Sequence, residues 1–364
     1  MDATELKRFG GVLGRLGSGH QLFWPAVTLG VLILICVLVQ PGFLRLGWVD
    51  GHLQGNLIDV LNRAAPLMLV AMGMTLVIAI RGLDISVGAV AAIAAAVAAL
   101  LIGGPGDAGT GEYTSRFPLG VAIGGALGIA MLCGLWNGLL VVKVGMQPIV
   151  ATLVLMVAGR GIAQLFTDGQ ILTLYYAPYF YIGNGYLAAL PFASFIVALV
   201  AVAVYLALNK TALGLFVRSI GINSVAARVA GVRSRLITVG LYVFCSLTAG
   251  LAGLIISSNV KSADANNAGQ LMELDAILAV ALGGTPLTGG RFSLAGSLLG
   301  ALIIQTLTSL IYSSGVPPEV NMVVKAVLVF AVMLLQSPEF RDIVVKAVLR
   351  RPAVSSERSS RVSS

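Results

Sequence analysis

Apolar residues run through this chain in blocks of about 20, with no strict alternation that would suggest strands. At a rise of 1.5 Å per residue, about 20 apolar residues cross a hydrocarbon layer as a helix. Blocks of that size are predicted at 22–40, 62–80, 86–102, 118–142, 148–166, 188–208, 236–257, 293–312 and 320–336. A tenth block, 274–288, is shorter and interrupted by glycine, which fits a half-crossing or a short tilted span. The pattern therefore predicts an all-α polytopic membrane protein of about ten spans, some short or broken, forming one domain over 22–337. Segment 1–21 is expected to precede that domain on the cytoplasmic side and tail 338–364 to follow it there, its distal part polar, Ser-rich and expected to be disordered.

Composition agrees with the pattern. Of the 364 residues 58% are hydrophobic and only 10% charged, whereas soluble domains carry about 25% charged residues. A net charge of +8 needs no nucleic-acid partner, because the bases are sorted by loop. Segment 209–235 holds Lys210, Arg218, Arg228, Arg233 and Arg235 without an acid, and the tail holds Arg341, Lys346, Arg350, Arg351, Arg358 and Arg361. Segment 103–117 has Asp107 and Glu112 against Arg116, and 167–187 has neither Lys nor Arg. Positive residues stay in the cytoplasm, so both termini and the basic loop share that side; ten crossings allow this and nine do not. The tyrosine-rich stretch 167–187 then lies outside, as an aromatic belt or as a docking surface for an external partner. Cys36, Cys133 and Cys245 fall within apolar blocks and suit small buried positions. No spacing of Cys, His or acids resembles a metal site.

Charges within the apolar blocks carry the most information, since each costs about 2.5–3.5 kcal/mol at mid-bilayer. In "MTLVIAIRGLDISVGAV" the segment Arg81-Gly82-Leu83-Asp84 separates two long runs. This predicts a tight turn eased by Gly82 and Gly88. Asp84 would cap the helix starting at Ile85 and Arg81 would neutralise it; direct contact with cargo and a gating role are the alternatives. "LAVALGGTPLTGGRFSL" (278–294) echoes this span, Gly-rich turn and span, and admits two parallel internal repeats. Glu273 and Asp275 are expected to cap the short block on the outer side. Arg160 and Lys325 require acid or carbonyl partners or a path to an interface.

Asn62, Thr75, Asn137, Gln147, Thr152, Gln164, Gln305 and Asn321 are among the uncharged hydrogen-bonding residues within or beside the blocks. They are candidates for a weakly binding path for a hydroxyl-rich solute; helix-to-helix hydrogen bonding is the competing reading. Ionisable groups at mid-depth are scarce, which argues against ion coupling. No G-x-x-x-x-G-K-[ST], H-E-x-x-H or G-x-S-x-G motif occurs, so neither ATP hydrolysis nor other covalent chemistry is expected of this chain. Gly120/Gly124, Gly124/Gly128, Gly134/Gly138 and Gly296/Gly300 predict close helix crossings.

Three blocks carry a resemblance: "NRAAPLMLVAMGMTLVIAIRGLDISVGAV", "GLWNGLLVVKVGMQPIVATLVLMVAGRGIAQL" and "SADANNAGQLMELDAILAVALGGTPLTGGRF". In order and spacing, over about residues 56–340, the chain resembles permease subunits of bacterial ribose-, arabinose- and xylose-type sugar ABC importers. The last two blocks look most like the galactofuranose-type permeases of that group. Family members read Gly-Gly where this chain has Arg81-Gly82. The resemblance implies an inner-membrane transport subunit, working by alternating access, with no cofactor of its own. Its implied partners are a cytoplasmic ATPase that binds ATP, a periplasmic sugar-binding protein and a second permease copy or homologue. It also implies that 220–232 is a coupling helix docked on the ATPase. There Asn223 begins a short helix ended by Gly231, Ala226 and Ala227 allow close seating, and Gly221 and Arg228 flank the contact. Rival readings are a permease for branched-chain amino acids, an ion-coupled carrier and a structural anchor.

Overall fold

A computed structural model describes residues 22–49, 51–103, 115–315, 323–327, 329–330 and 334. Segment 1–21, tail 338–364, Asn321 and most of the block at 320–336 lie outside the described residues. The described chain is almost wholly helical, and six of its helices are long and apolar enough to cross a membrane. It is a polytopic all-α membrane protein.

The helices, in order, are α1 (Phe23–Val39), α2 (Asn56–Ala79), α3 (Val87–Ile102), α4 (Leu119–Leu139) and α5 (Pro148–Phe166). Then follow the short α6 (Ala177–Asn184), α7 (Phe192–Lys210), α8 (Leu213–Ile222), α9 (Ser224–Val229), α10 (Ser234–Val260), α11 (Met272–Leu282) and α12 (Leu294–Ser313). α4 ends in a π-helical turn, Leu140–Val144, closed by Gly145 at φ 79°. Pro148 opens α5 at a position where its missing N–H costs nothing. The block expected at 188–208 starts only at Phe192, because residues 186–191 form a small hairpin pairing Tyr186 with Pro191. Leu172–Thr173 pairs with Ser262–Ala263, tying two loops on the same face of the bundle.

α10 runs through the centre and packs on α2, α3 and α4, while α3 also packs on α4 and α5. At 27 residues it is about 40 Å long, more than the roughly 30 Å hydrocarbon layer. α12 packs on α1, α2 and α11. The alanine-rich α3 is buried except at Leu100 and Leu101, and α2 is buried continuously from Ala64 to Ala79. Large apolar side chains on α1 and α7 point outward instead; Leu38 and Leu199 are over 70% exposed. That distribution suits lipid, which solvates leucine as well as a protein core does. Cys36 and Cys245 are buried and Cys133 half-buried.

Glycines decide where helices touch. A side chain at Gly253 would collide with the backbone of Ala91, so α10 and α3 meet main chain to main chain. Gly134 and Gly138 do the same against α10, and Gly296 and Gly300 against Gly283 and Ala279. The other expected crossings differ: at Gly120, Gly124 and Gly128 no described atom lies within 4 Å of where a Cβ would sit. These three occupy a stretch of α4 whose outer face has no described helix of the same chain against it. Gly253→Ala is therefore expected to destabilise by about 1–3 kcal/mol through overpacking. Gly124→Ala should be neutral or stabilise by up to about 1 kcal/mol through helix propensity. Thermal unfolding of the two purified variants beside the parent chain checks the opposite signs.

Candidate coupling junction and polar path

Helix α2 ends in a tight reversal, with Arg81 N–H donating to the Ile78 carbonyl and Gly82 N–H to the Val77 carbonyl, each at 2.9 Å. Arg81 stands at φ 64°, a left-handed position that usually takes glycine or asparagine and strains other residues by about 1–2 kcal/mol. A different set of bonds replaces the expected pairing of Arg81 with Asp84. The Arg81 guanidinium donates to the Ile222 carbonyl at 2.9 Å. The fully buried Asp84 accepts from the Ser86 N–H at 3.0 Å and the Ser86 hydroxyl at 2.6 Å. Asn137 of α4 donates to the Ser86 hydroxyl at 2.9 Å, and the Thr152 hydroxyl of α5 accepts the Ile85 N–H at 3.3 Å. The helix then starts at Val87, two residues later than expected, with Ser86 at the cap position. Ser86 thus bonds one carboxylate oxygen of Asp84, while Oδ2 is buried without a hydrogen-bond partner among the described residues, and Arg81 does not pair with it.

A second reversal, residues 283–293, joins α11 to α12. Thr285 accepts the Ser293 N–H at 3.1 Å, and Ser293 caps α12 by accepting from the Gly296 N–H at 3.1 Å. The two turns are bonded: Gly290 N–H donates to the Ala79 carbonyl at 2.9 Å. Gly221, at the end of α8, sits against both groups so closely that a Cβ there would strike the Ala79 oxygen and the Gly290 nitrogen. Arg218 of α8 lies 5.3 Å from the Phe292 ring centre. Hence the ends of α2, α8 and α11–α12 converge on one point.

From that point the chain enters α9. Asn223 Oδ1 accepts the N–H groups of Val225 and Ala226, both at 3.0 Å, satisfying donors that every helix start leaves over. Gly231, at φ 87°, closes the element together with the Val232 N–H to Ala227 carbonyl bond. Ala227 is buried against the body, whereas Val225, Val229 and Arg228 face outward, Val229 at 85% exposure. Ala226 and Ala227 were expected to seat this helix on a partner, yet Ala227 turns inward, and the outward valines were not singled out. Their signal was a β-branched pair four residues apart in an otherwise small-residue helix.

On the opposite face, loop 261–271 descends beside the first turn of α3. A side chain at Gly88 would meet the Gly269 carbonyl and the Glu273 carboxylate. The helix that follows, α11, has 11 residues, roughly 16 Å or half the hydrocarbon thickness. Arg160 of α5 reaches this loop, donating to the carbonyls of Ala268 at 2.5 Å and Ala265 at 3.3 Å. Gln164 donates to Asn266, and Asp264 accepts from the N–H groups of Asn266 and Asn267. Glu273 and Asp275 occupy the first turn of α11, but neither side chain caps it. Glu273 is buried, and Asp275 pairs with Lys325 at 2.6 Å. Asp264, Asn266 and Asn267 were missed as site residues, although "DANN" is a polar run between two apolar blocks.

The eight polar candidates separate into several sets. Asn137 and Thr152 converge on the 80–86 turn. Thr75 donates to the Ala71 carbonyl and meets Ser297, and Asn62 donates to the Gly183 carbonyl at 3.1 Å. Gln164 joins the 261–271 loop, Gln147 is exposed before α5, and Gln305 is half-buried on α12. Among the described residues no group of three or more His, Cys, Asp or Glu is arranged to hold a metal ion.

Residues 56–333 match the family model described as the branched-chain amino acid transport system permease component. The chain is 48% identical over 326 residues to the galactofuranose transporter permease protein YtfT of Escherichia coli, covering 88% of this chain and 92% of that one. It is 36% identical to the fructose import permease protein FruF of Bifidobacterium longum, over 89% of each chain. It is 35% identical to the ribose import permease protein RbsC of Bacillus subtilis, over 91% of this chain and 96% of that one. No solved structure is significantly similar. With the family model spanning most of its length and these relatives nearly coextensive with it, the chain belongs to that family of transport-system permease components.

Proposed function

We propose that this chain is the membrane-spanning subunit of an ATP-driven importer that moves a monosaccharide, galactofuranose or a close relative, across a bacterial inner membrane. The cargo follows the relatives' names, above all the 48% identity to the galactofuranose permease. The observation that carries the mechanism is the convergence of α8–α9 on both helical turns, through Arg81–Ile222 and Gly290–Ala79. A partner ATPase that grips the outward-facing Val225 and Val229 would pull on both hairpins at once. This chain supplies no ATP site in this reading; the ATPase does. The face bearing Arg81, Lys143, Arg218, Arg228 and Arg235 is cytoplasmic by the positive-inside rule, as are both termini. A periplasmic binding protein delivers the sugar on the other face, and a second permease copy or homologue completes the path. Gln164, Gln147, Gln305, Asn321, Asn62, Thr75, Asn137 and Thr152 remain candidates for brief contact with its hydroxyls.

Uptake of labelled galactofuranose tests this reading in cells lacking their own permease and supplied with this chain, its ATPase and its binding protein. Accumulation is expected only with an active ATPase; accumulation without it, or inhibition by leucine and not by sugars, refutes the assignment.

Two substitutions separate coupling from folding. Arg81→Gly removes a charge-assisted hydrogen bond worth about 1.5–3 kcal/mol while relieving left-handed strain of about 1–2 kcal/mol. Thermal stability should hold while sugar moved per ATP falls about ten-fold, as expected for about 1.4 kcal/mol of lost coupling. Asp84→Ala strands the Ser86 N–H in a buried turn at a cost of about 1–3 kcal/mol. Lower thermal stability with unchanged competition among sugars is expected, measured by unfolding and by uptake of labelled sugar against unlabelled ribose. A shifted cargo preference in a normally stable protein would instead make Asp84 a cargo contact.

A further inference from the structure

Between the 80–86 turn, α9 and the start of α10 lies a cavity of about 270 Å³ whose lining includes Arg81, Arg228, Arg235, Ser224, Ser234 and Thr238. Three arginines line it, and no acid does. Among the described residues the Lys325–Asp275 ion pair is remote from it, and none of the three arginines is in an ion pair. Each guanidinium carries five N–H donors. The structure gives Arg81 one side-chain bond, to the Ile222 carbonyl, and Arg228 one, to the Ser224 carbonyl. These bonds fix the two side chains in place and leave most of their donors without an acceptor among the described residues. Like charges gathered in one recess repel one another, and an anion seated among them turns that repulsion into attraction.

A second observation concerns Arg81 itself. It holds a left-handed backbone position that glycine would occupy without strain, so the backbone does not account for an arginine there. Residues kept in strained conformations point to a use for the side chain. Forked N–H groups match the paired oxygens of a phosphate, and the serine and threonine hydroxyls add further donors. We propose that this cavity is a binding site for a phosphate group, supplied either by an anionic lipid headgroup at the membrane edge or by a soluble phosphate. The inference rests on the cavity and its arginines, and stands whichever cargo the chain carries.

The test uses the purified full chain in nanodiscs of phosphatidylcholine or of phosphatidylglycerol, with thermal unfolding as readout. Inorganic phosphate is titrated against chloride at matched ionic strength. The variants are Arg228→Gln and Arg235→Gln, with Arg228→Lys as the charge-keeping version and Arg116→Gln, on the far face, as control. Stabilisation by phosphate in phosphatidylcholine, weakened about ten-fold or more in apparent affinity in either glutamine variant, supports the site with soluble phosphate as its source. Stabilisation by phosphatidylglycerol alone, lost in the same variants, kept in Arg116→Gln and reduced less in Arg228→Lys than in Arg228→Gln, supports it with lipid as the source. Absence of both effects, or effects equal in parent and glutamine variants, overturns the proposal.

Discussion

A lipid interior offers no hydrogen bonds, so any backbone N–H or carbonyl left over where a helix breaks must find a partner inside the protein. Two such breaks lie well within the body of this chain, at residues 80–86 and 261–271, and side chains from other helices help to close each. Ser86, Asp84, Asn137 and Thr152 close the first. Arg160 and Gln164 close the second by reaching from one helix into the loop. The packing of α10 on α4 and of α5 on α3 holds those helpers at bonding distance. Without it both breaks would expose unsatisfied main chain at a cost of several kcal/mol each.

The same economy bears on the coupling proposed above. One oxygen of the Asp84 carboxylate accepts from neutral donors, and the nearby arginine bonds the end of α8 instead. Because Gly221 has no side chain, three main-chain segments come into direct contact around the Ala79 carbonyl. Main-chain contacts between buried helix ends resist shear better than contacts between long flexible side chains. In the mechanism proposed above, a displacement of α9 would therefore reach α2–α3 and α11–α12 together.

The spans were legible because a 20-residue apolar run has few places to go but lipid, and the turn at Arg81–Asp84 was legible because charges there are costly. The partners of those charges were not. Local spacing suggested that Arg81 neutralises Asp84, yet the bond goes to Ile222, 141 positions away. The acceptors of Arg160 are carbonyls more than 100 positions on, which carry no residue-type signature. Glycine spacing was equally ambiguous: Gly134/Gly138 and Gly120/Gly124 look alike in the sequence, but only the first pair has a helix pressed against it. The short α11 was half-legible, since its glycines and acids marked an irregular span without fixing how the preceding loop is held.

The enclosure of α3 bears on biogenesis. Its alanines suit a sheath of other helices, and part of that sheath, α10, begins about 130 residues after α3 ends. At a ribosomal pace of roughly 5–20 residues per second, α3 waits on the order of 6–26 s in the bilayer before its cover is even translated. During that interval its small-residue flank and the Asp84 carboxylate lack their final neighbour, so insertion chaperones and quality-control proteases meet the nascent subunit at its most vulnerable point.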